Sequence, residues 1–176
     1  MKYLHAANSR ARMLSRIVAH ARKRAIDNPR DNFVTQILDP GEQQSREHLI
    51  EIFDDLQTAI ERLTLIDVCA AFEYQFRLYV QTAIGEAKKA VNKGYAIKLF
   101  TCAKARLIYD HEEFRGLGRP FEFVRGFAEK QQADQLTMLK EARNIAAHGL
   151  APGALKMSTD EAYELLQDVF TTLDCG

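Results

Sequence analysis

The chain has 176 residues, of which 47% are hydrophobic, and its 24 basic and 24 acidic side chains cancel to a formal net charge of zero. That length suits a single domain with one core, and the apolar content excludes disorder over most of it. The overall charge gives no support to a constitutive polyanion binder, and no run nears the ~20 apolar residues of a membrane span.

The neutral total hides an asymmetry. Residues 1–30 hold eight basic side chains (Lys2, Arg10, Arg12, Arg16, Arg22, Lys23, Arg24, Arg30) and one acid, Asp27. Leu4, Ala7, Ala11, Leu14, Val18, Ala21 and Ala25 recur at steps of three and four, so residues 1–28 are expected as a helix with one apolar stripe and a basic back. An Arg-rich, acid-poor start also has the composition of a transit peptide, but its smooth continuation as an amphipathic helix is preferred. Asn28-Pro29 ends the helix, and the stretch to Gly41 reads as a connector. Residues 39–73 reverse the charge, with nine acids against Arg46 and Arg62. Two readings stay open: complementary faces that pack or pair within a fold or dimer, or a basic arm that attracts RNA.

From Gln43 to Asn92 there is no proline, and Gly85 is the only glycine. Leu49, Ile52, Phe53, Leu56, Ile60 and Leu63 form one stripe; Leu65, Cys69, Phe72, Phe76, Tyr79 and Ala83 form a second. With Ile66, Val68, Ala71 and Leu78 added, the second segment is apolar almost all round and is expected to be the central, most buried helix. One very long helix and two helices broken near Thr64 fit equally well. Asn92-Lys93-Gly94 is a turn, and Tyr95 to Tyr109 is expected as a helix with Ile97, Phe100, Leu107 and Ile108 inward. Residues 110–120 read as a loop ending with Pro120 in a helix first turn.

A helix or helix pair follows from Phe121 to His148, with any interruption expected around Lys130–Ala133 and Gly149 as its C′ stop. Ser158-Thr159-Asp160-Glu161 is a capping box. The last helix carries Ala162, Tyr163, Leu166, Val169, Phe170 and Leu173 on one face. No alternating strand pattern appears, so the expected fold is all-α, an antiparallel helical bundle forming a single domain over 1–176.

Three cysteines, Cys69, Cys102 and Cys175, contain no CxxC pair. A disulfide framework or metal site is not expected, and a reducing cytoplasm fits best. Cys69 and Cys102 read as small core residues. His5, His20, His48 and His111 read as surface residues. Arg115, Arg119 and Arg125 interleave with Phe114 and Phe121; a solvated loop anchored by its phenylalanines is preferred over an RNA grip. No phosphate-cradling glycine loop, Ser or Cys nucleophile arrangement or paired carboxylates appear, and no cofactor is expected.

The remaining candidate is EARNIAAHG, residues 141–149. Asn144 and His148 are four apart and share a helix face. Arg143 and His148 are five apart, roughly 140° around the helix, so Arg143 must wrap toward His148 or act across a dimer. Ala146 and Ala147 keep the surface low, which suits a second helix or a backbone phosphate approaching closely. His148 falls in the last turn, where exposed carbonyl ends favour a cation, and Arg143 offers a fixed fork suited to phosphate. Together they suit phosphodiester cleavage: His148 moves a proton, Asn144 holds the ring, and Arg143 stabilises charge on the phosphoryl oxygens. Ordinary helix-end capping by His148 and an ion pair of Arg143 are the alternative.

RNIAAH near the end of the penultimate helix, followed by one last helix, resembles the HEPN superfamily, whose pattern is Arg, a polar residue and a His four to six residues further along. The resemblance spans roughly residues 45–174, with 1–28 as an added basic helix, and VCAAFEYQFRLYV looks like the family's core helix with Glu73 as its acidic residue. A Glu73–Arg77 pair along the helix is the simpler account of that glutamate. The resemblance implies a four-helix core and a metal-independent endoribonuclease, with Arg143, Asn144 and His148 as its catalytic set. It implies RNA as substrate, cleaved by its own 2′-OH to a 2′,3′-cyclic phosphate and a 5′-OH. It also implies a homodimer facing a composite cleft, and a toxin–antitoxin or phage-defence setting with an antitoxin or defence partner. In the branch paired with a minimal nucleotidyltransferase antitoxin a Tyr follows the motif His by two; here that position is Leu150, which puts that form of control in doubt. Some members lack nuclease activity and serve as interaction or RNA-binding modules, which is the alternative function.

Overall fold

A computed structural model of the chain describes residues 1–28, 45–91, 119–126, 128–148 and 155–174. Among them are five helices and no strand, so the fold is all-α. The expected connector after Asn28, the helix Tyr95–Tyr109, His111, Phe114, Arg115, Gly149 and the cysteines Cys102 and Cys175 lie outside the described residues.

Helix α1 (Lys2–Asp27) begins without a side-chain cap of its own. First-turn amides have no partner within a helix, and here they are met from a distance. The backbone N–H groups of Tyr3 and Leu4 donate to Gln75 Oε1 at 3.1 and 3.3 Å. Gln75 is itself buried, so its side chain reads as a cap supplied by another helix.

Helix α2 (Arg46–Val91) resolves the question at Thr64: it is one helix of 46 residues, about 69 Å long. Ser45 caps its start by accepting the His48 N–H at 3.2 Å. Thr64 is buried, and its hydroxyl bonds back to the carbonyls of Ile60 (2.8 Å) and Glu61 (3.1 Å). The same hydroxyl meets Thr159 Oγ1 at 3.0 Å, tying the helix to the start of a later one. Helix α1 runs antiparallel to α2, with Arg10 on Asp67 at 2.8 Å and Arg22 on Asp54 at 2.8 Å. The basic and acidic segments therefore do face each other within the chain.

The stretch before the motif is a helix pair, α3 (Arg119–Arg125) and α4 (Lys130–His148). The interruption falls between Arg125 and Lys130, ahead of the Lys130–Ala133 position expected from sequence, and Lys130 opens the new helix. Gly126 sits at the turn, where its backbone freedom disfavours helix continuation. Lys140 Nζ and Glu122 Oε1 join the two helices at 2.6 Å.

Helix α5 (Thr159–Asp174) starts with the expected capping box in full. Glu161 N–H donates to Ser158 Oγ at 3.2 Å, and Ser158 N–H donates to Glu161 Oε2 at 2.7 Å. The Ser158 N–H, with the Ser158 hydroxyl donating to the same Oε2 at 2.8 Å, favours the charged carboxylate and holds Glu161 below the usual carboxylate range.

The core centres on Phe72 of α2, whose ring lies 5.8 Å from Phe76, 5.1 Å from Phe121 of α3 and 5.3 Å from Phe170 of α5. Phe121 is thus a core anchor and Arg125 is exposed, but both lie on helix α3 and not in a loop. Leu136, Leu139, Ala142 and Ala146 of α4 close the same core. A smaller cluster of Val18, Ala25, Leu49 and Phe53 joins the far ends of α1 and α2. Four residues expected inside these stripes, Leu14, Leu56, Leu63 and Ala83, are instead exposed. No helix among the described residues is long and apolar enough to cross a membrane.

Phe72→Ala should cost about 3–5 kcal/mol in urea unfolding, because a large ring shared by three helices is removed. Ser158→Ala should cost only about 1 kcal/mol, the usual loss for an N-cap. Equal costs would contradict this ranking.

Candidate functional site

The motif occupies the last two turns of α4. Its placement follows from the inward face of that helix, which Leu136, Leu139, Ala142 and Ala146 fill. One residue on from Ala142 is a rotation of about 100°, which sets Arg143 at the edge of the buried face. Arg143 and Asn144 are half-buried; Ala147 and His148 are exposed. Ala146 is packed in the chain's own core, so the helix that approaches closely there belongs to the chain itself. Ala147 alone keeps the outer surface low.

Arg143 and Asn144 meet directly: Arg143 Nη1 donates to Asn144 Oδ1 at 3.2 Å. The shared helix face predicts Asn144 holding the histidine ring; its carbonyl oxygen instead holds the guanidinium. The side chain of His148 makes no hydrogen bond to another described residue, and the residue is exposed at the helix end. The three residues therefore divide into a positioned Arg–Asn pair and an exposed imidazole about one turn away.

Behind Arg143, on α2, lies the sulfur of Cys69. Cys69 is fully buried, and burial, reinforced by the negative charge of Glu73, pushes its thiol up to about 12; the positive charge of Arg143 works in the opposite direction. The charges of Glu73 on α2 and Arg143 on α4 therefore act on the same buried thiol in opposite directions. Glu73 is itself buried at 3% exposure, which rules out a merely solvated glutamate. The neighbouring Arg77 has an Nε with no hydrogen-bond partner. Sequence alone offers one signal for this grouping, a lone acid in an apolar helical run. Nothing in it places Arg143 near enough for its charge to act on Cys69.

A groove of about 1160 Å³ lies elsewhere, between α1, α2 and the start of α5. Arg12, Arg16, Arg62 and Lys156 share its walls with Asp55, Glu61, Asp160 and Glu161, and no motif residue lines it. Its charges are balanced, and Arg12 is already paired with Asp160 at 3.2 Å. It offers no single-sign field for an anion.

The Cys69 environment makes a pH prediction. Below about pH 9 the thiol is neutral in both states; as pH rises further the unfolded thiol ionises from its ordinary value of 9.0, while the folded one does not until about 12. Stability is therefore lost in that window. The cost of Cys69→Ala, measured by urea unfolding, should shrink by about 1.4 kcal/mol between pH ~8 and pH ~10. An unchanged cost would contradict the buried neutral thiol.

Compared with known proteins, the chain matches no protein-family model, no curated protein and no solved structure.

Proposed function

We propose that the chain is a metal-independent endoribonuclease of the HEPN type, built on a helical bundle and acting in the cytoplasm. The observation that carries the reading is the pairing of a positioned guanidinium with a solvent-facing imidazole at one helix end. Asn144 holds the Arg143 fork at 3.2 Å, and His148 stands exposed in the last turn of α4. An Arg fork suits the phosphoryl oxygens of RNA, and an exposed imidazole suits proton transfer.

In this reading the ribose 2′-oxygen attacks the adjacent phosphorus and forms a new P–O bond. The bond to the 5′-oxygen breaks, the 2′-proton leaves, and a proton arrives on the departing 5′-oxygen. His148 serves as the acid/base in that exchange, and Arg143 stabilises the extra charge on the phosphoryl oxygens. The products carry a 2′,3′-cyclic phosphate and a 5′-OH. Asn144 acts through Arg143 and is a positioning residue. The proposed partners are substrate RNA, a second copy of the chain, and an antitoxin or defence protein that controls the activity.

One observation favours a second reading, a non-catalytic RNA-binding or interaction module: Asn144 is spent on Arg143, and no described residue orients the His148 ring.

RNA cleavage in EDTA should fall about 10²–10⁴-fold in His148→Ala and about 10²–10³-fold in Arg143→Ala, with both variants folded by circular dichroism. Equal cleavage by wild type and variants would overturn the catalytic assignment. RNA binding without cleavage by any of the three would favour the module.

A further inference from the structure

The exposed leucines of the α1–α2 pair form one outer face. Tyr3 lies beside Tyr74, with ring centroids 4.8 Å apart, and Arg10 beside Asp67. The same antiparallel register sets Leu14 level with Leu63. Around α2, Leu56, Leu63 and Tyr74 fall within about 20° of one another and opposite Phe72. Around α1, Tyr3, Leu14 and Ile17 fall within about 60°. Leu63 is 64% exposed and Ile17 54%, values unusual for large apolar side chains that share a line.

We infer that this face binds the same face of a second copy, so that two α1–α2 pairs form a four-helix layer about a two-fold axis parallel to the helices. Charge selects the second copy and the axis. Arg10 and Asp67, in the middle of the face, are paired to each other yet remain 53% and 42% exposed. With the axis parallel to the helices, α1 of one copy lies against α2 of the other, and the level of each residue is kept. The two Arg10–Asp67 pairs then meet as an alternating square of charges, between a tyrosine layer and a leucine layer. An axis across the helices would instead lay α1 on α1, setting two strongly basic helices against each other. The available surface also suffices. Helix α1 has 26 residues, about 39 Å, and two helix widths add about 20 Å. The product, about 800 Å², is the area each partner contributes to a standard interface.

The inference rests on the second copy proposed above but needs none of the chemistry proposed for Arg143 and His148. Its contact departs from the composite-cleft dimer that the resemblance implies, because the face lies opposite the Phe72 side of α2 that packs on α4 and leaves the motif outside it.

Sedimentation of the full chain tests it without RNA. Wild type should be a dimer, and Leu63→Glu and Ile17→Glu should each weaken self-association at least about tenfold, with unchanged circular dichroism because neither side chain is in the core. Should one variant fail to fold, the other still decides, since they lie on different helices. Arg10→Glu alone should also weaken the dimer, and Arg10→Glu with Asp67→Arg should restore it. A monomeric wild type, or a dimer indifferent to both Leu63→Glu and Ile17→Glu, would overturn the inference and leave the cleavage assay unaffected.

Discussion

Helix α2 has to bury different faces at different depths along one uninterrupted rod, and the other helices are arranged by that demand. Its first half is covered by α1, through the small cluster of Leu49 and Phe53 with Val18 and Ala25. Its second half, from Leu65 to Val80, lies in the main core with residues from all the other described helices. The change comes at Thr64, whose buried hydroxyl would be costly without partners. It is satisfied by the carbonyls of Ile60 and Glu61 and by Thr159. Polar satisfaction at that one point lets the helix run on without a break.

The motif inherits its geometry from the same rod. Small residues at Ala142 and Ala146 sit in the core beside the Phe72 region, which brings the α4 backbone close to α2. Arg143 is carried to the rim of that contact, near enough for its charge to act on Cys69. Glu73 is buried on the same stretch of α2, and its negative charge acts on the Cys69 thiol in the opposite sense to Arg143. His148, a little over a turn beyond, escapes the seam and faces solvent. Packing thus separates a half-buried guanidinium from an exposed imidazole within six residues.

Local features were legible in the sequence because their causes are local. Apolar steps of three and four marked α1, α2 and α5, and Ser158 with Glu161 marked the start of α5. What depended on distant partners was not legible. Gln75 gives no sign, read along its own helix, that it caps α1. Continuity at Thr64 rests partly on a hydroxyl 95 residues away. The periodicity of Leu14, Leu56 and Leu63 is that of a buried stripe, yet three-dimensional placement leaves them outside. Within the motif, spacing showed that Asn144 and His148 share a face, but side-chain length let Arg143 reach Asn144 first.

The central claim is that Arg143 and His148 cut RNA by using its own 2′-hydroxyl, and the ends of the cut strand report on that directly. Incubating the full chain with end-labelled RNA in EDTA and identifying the new termini separates the chemistries. The account predicts a 2′,3′-cyclic phosphate on one fragment and a 5′-hydroxyl on the other. Fragments bearing a 3′-hydroxyl and a 5′-phosphate, or RNA left intact, would contradict it.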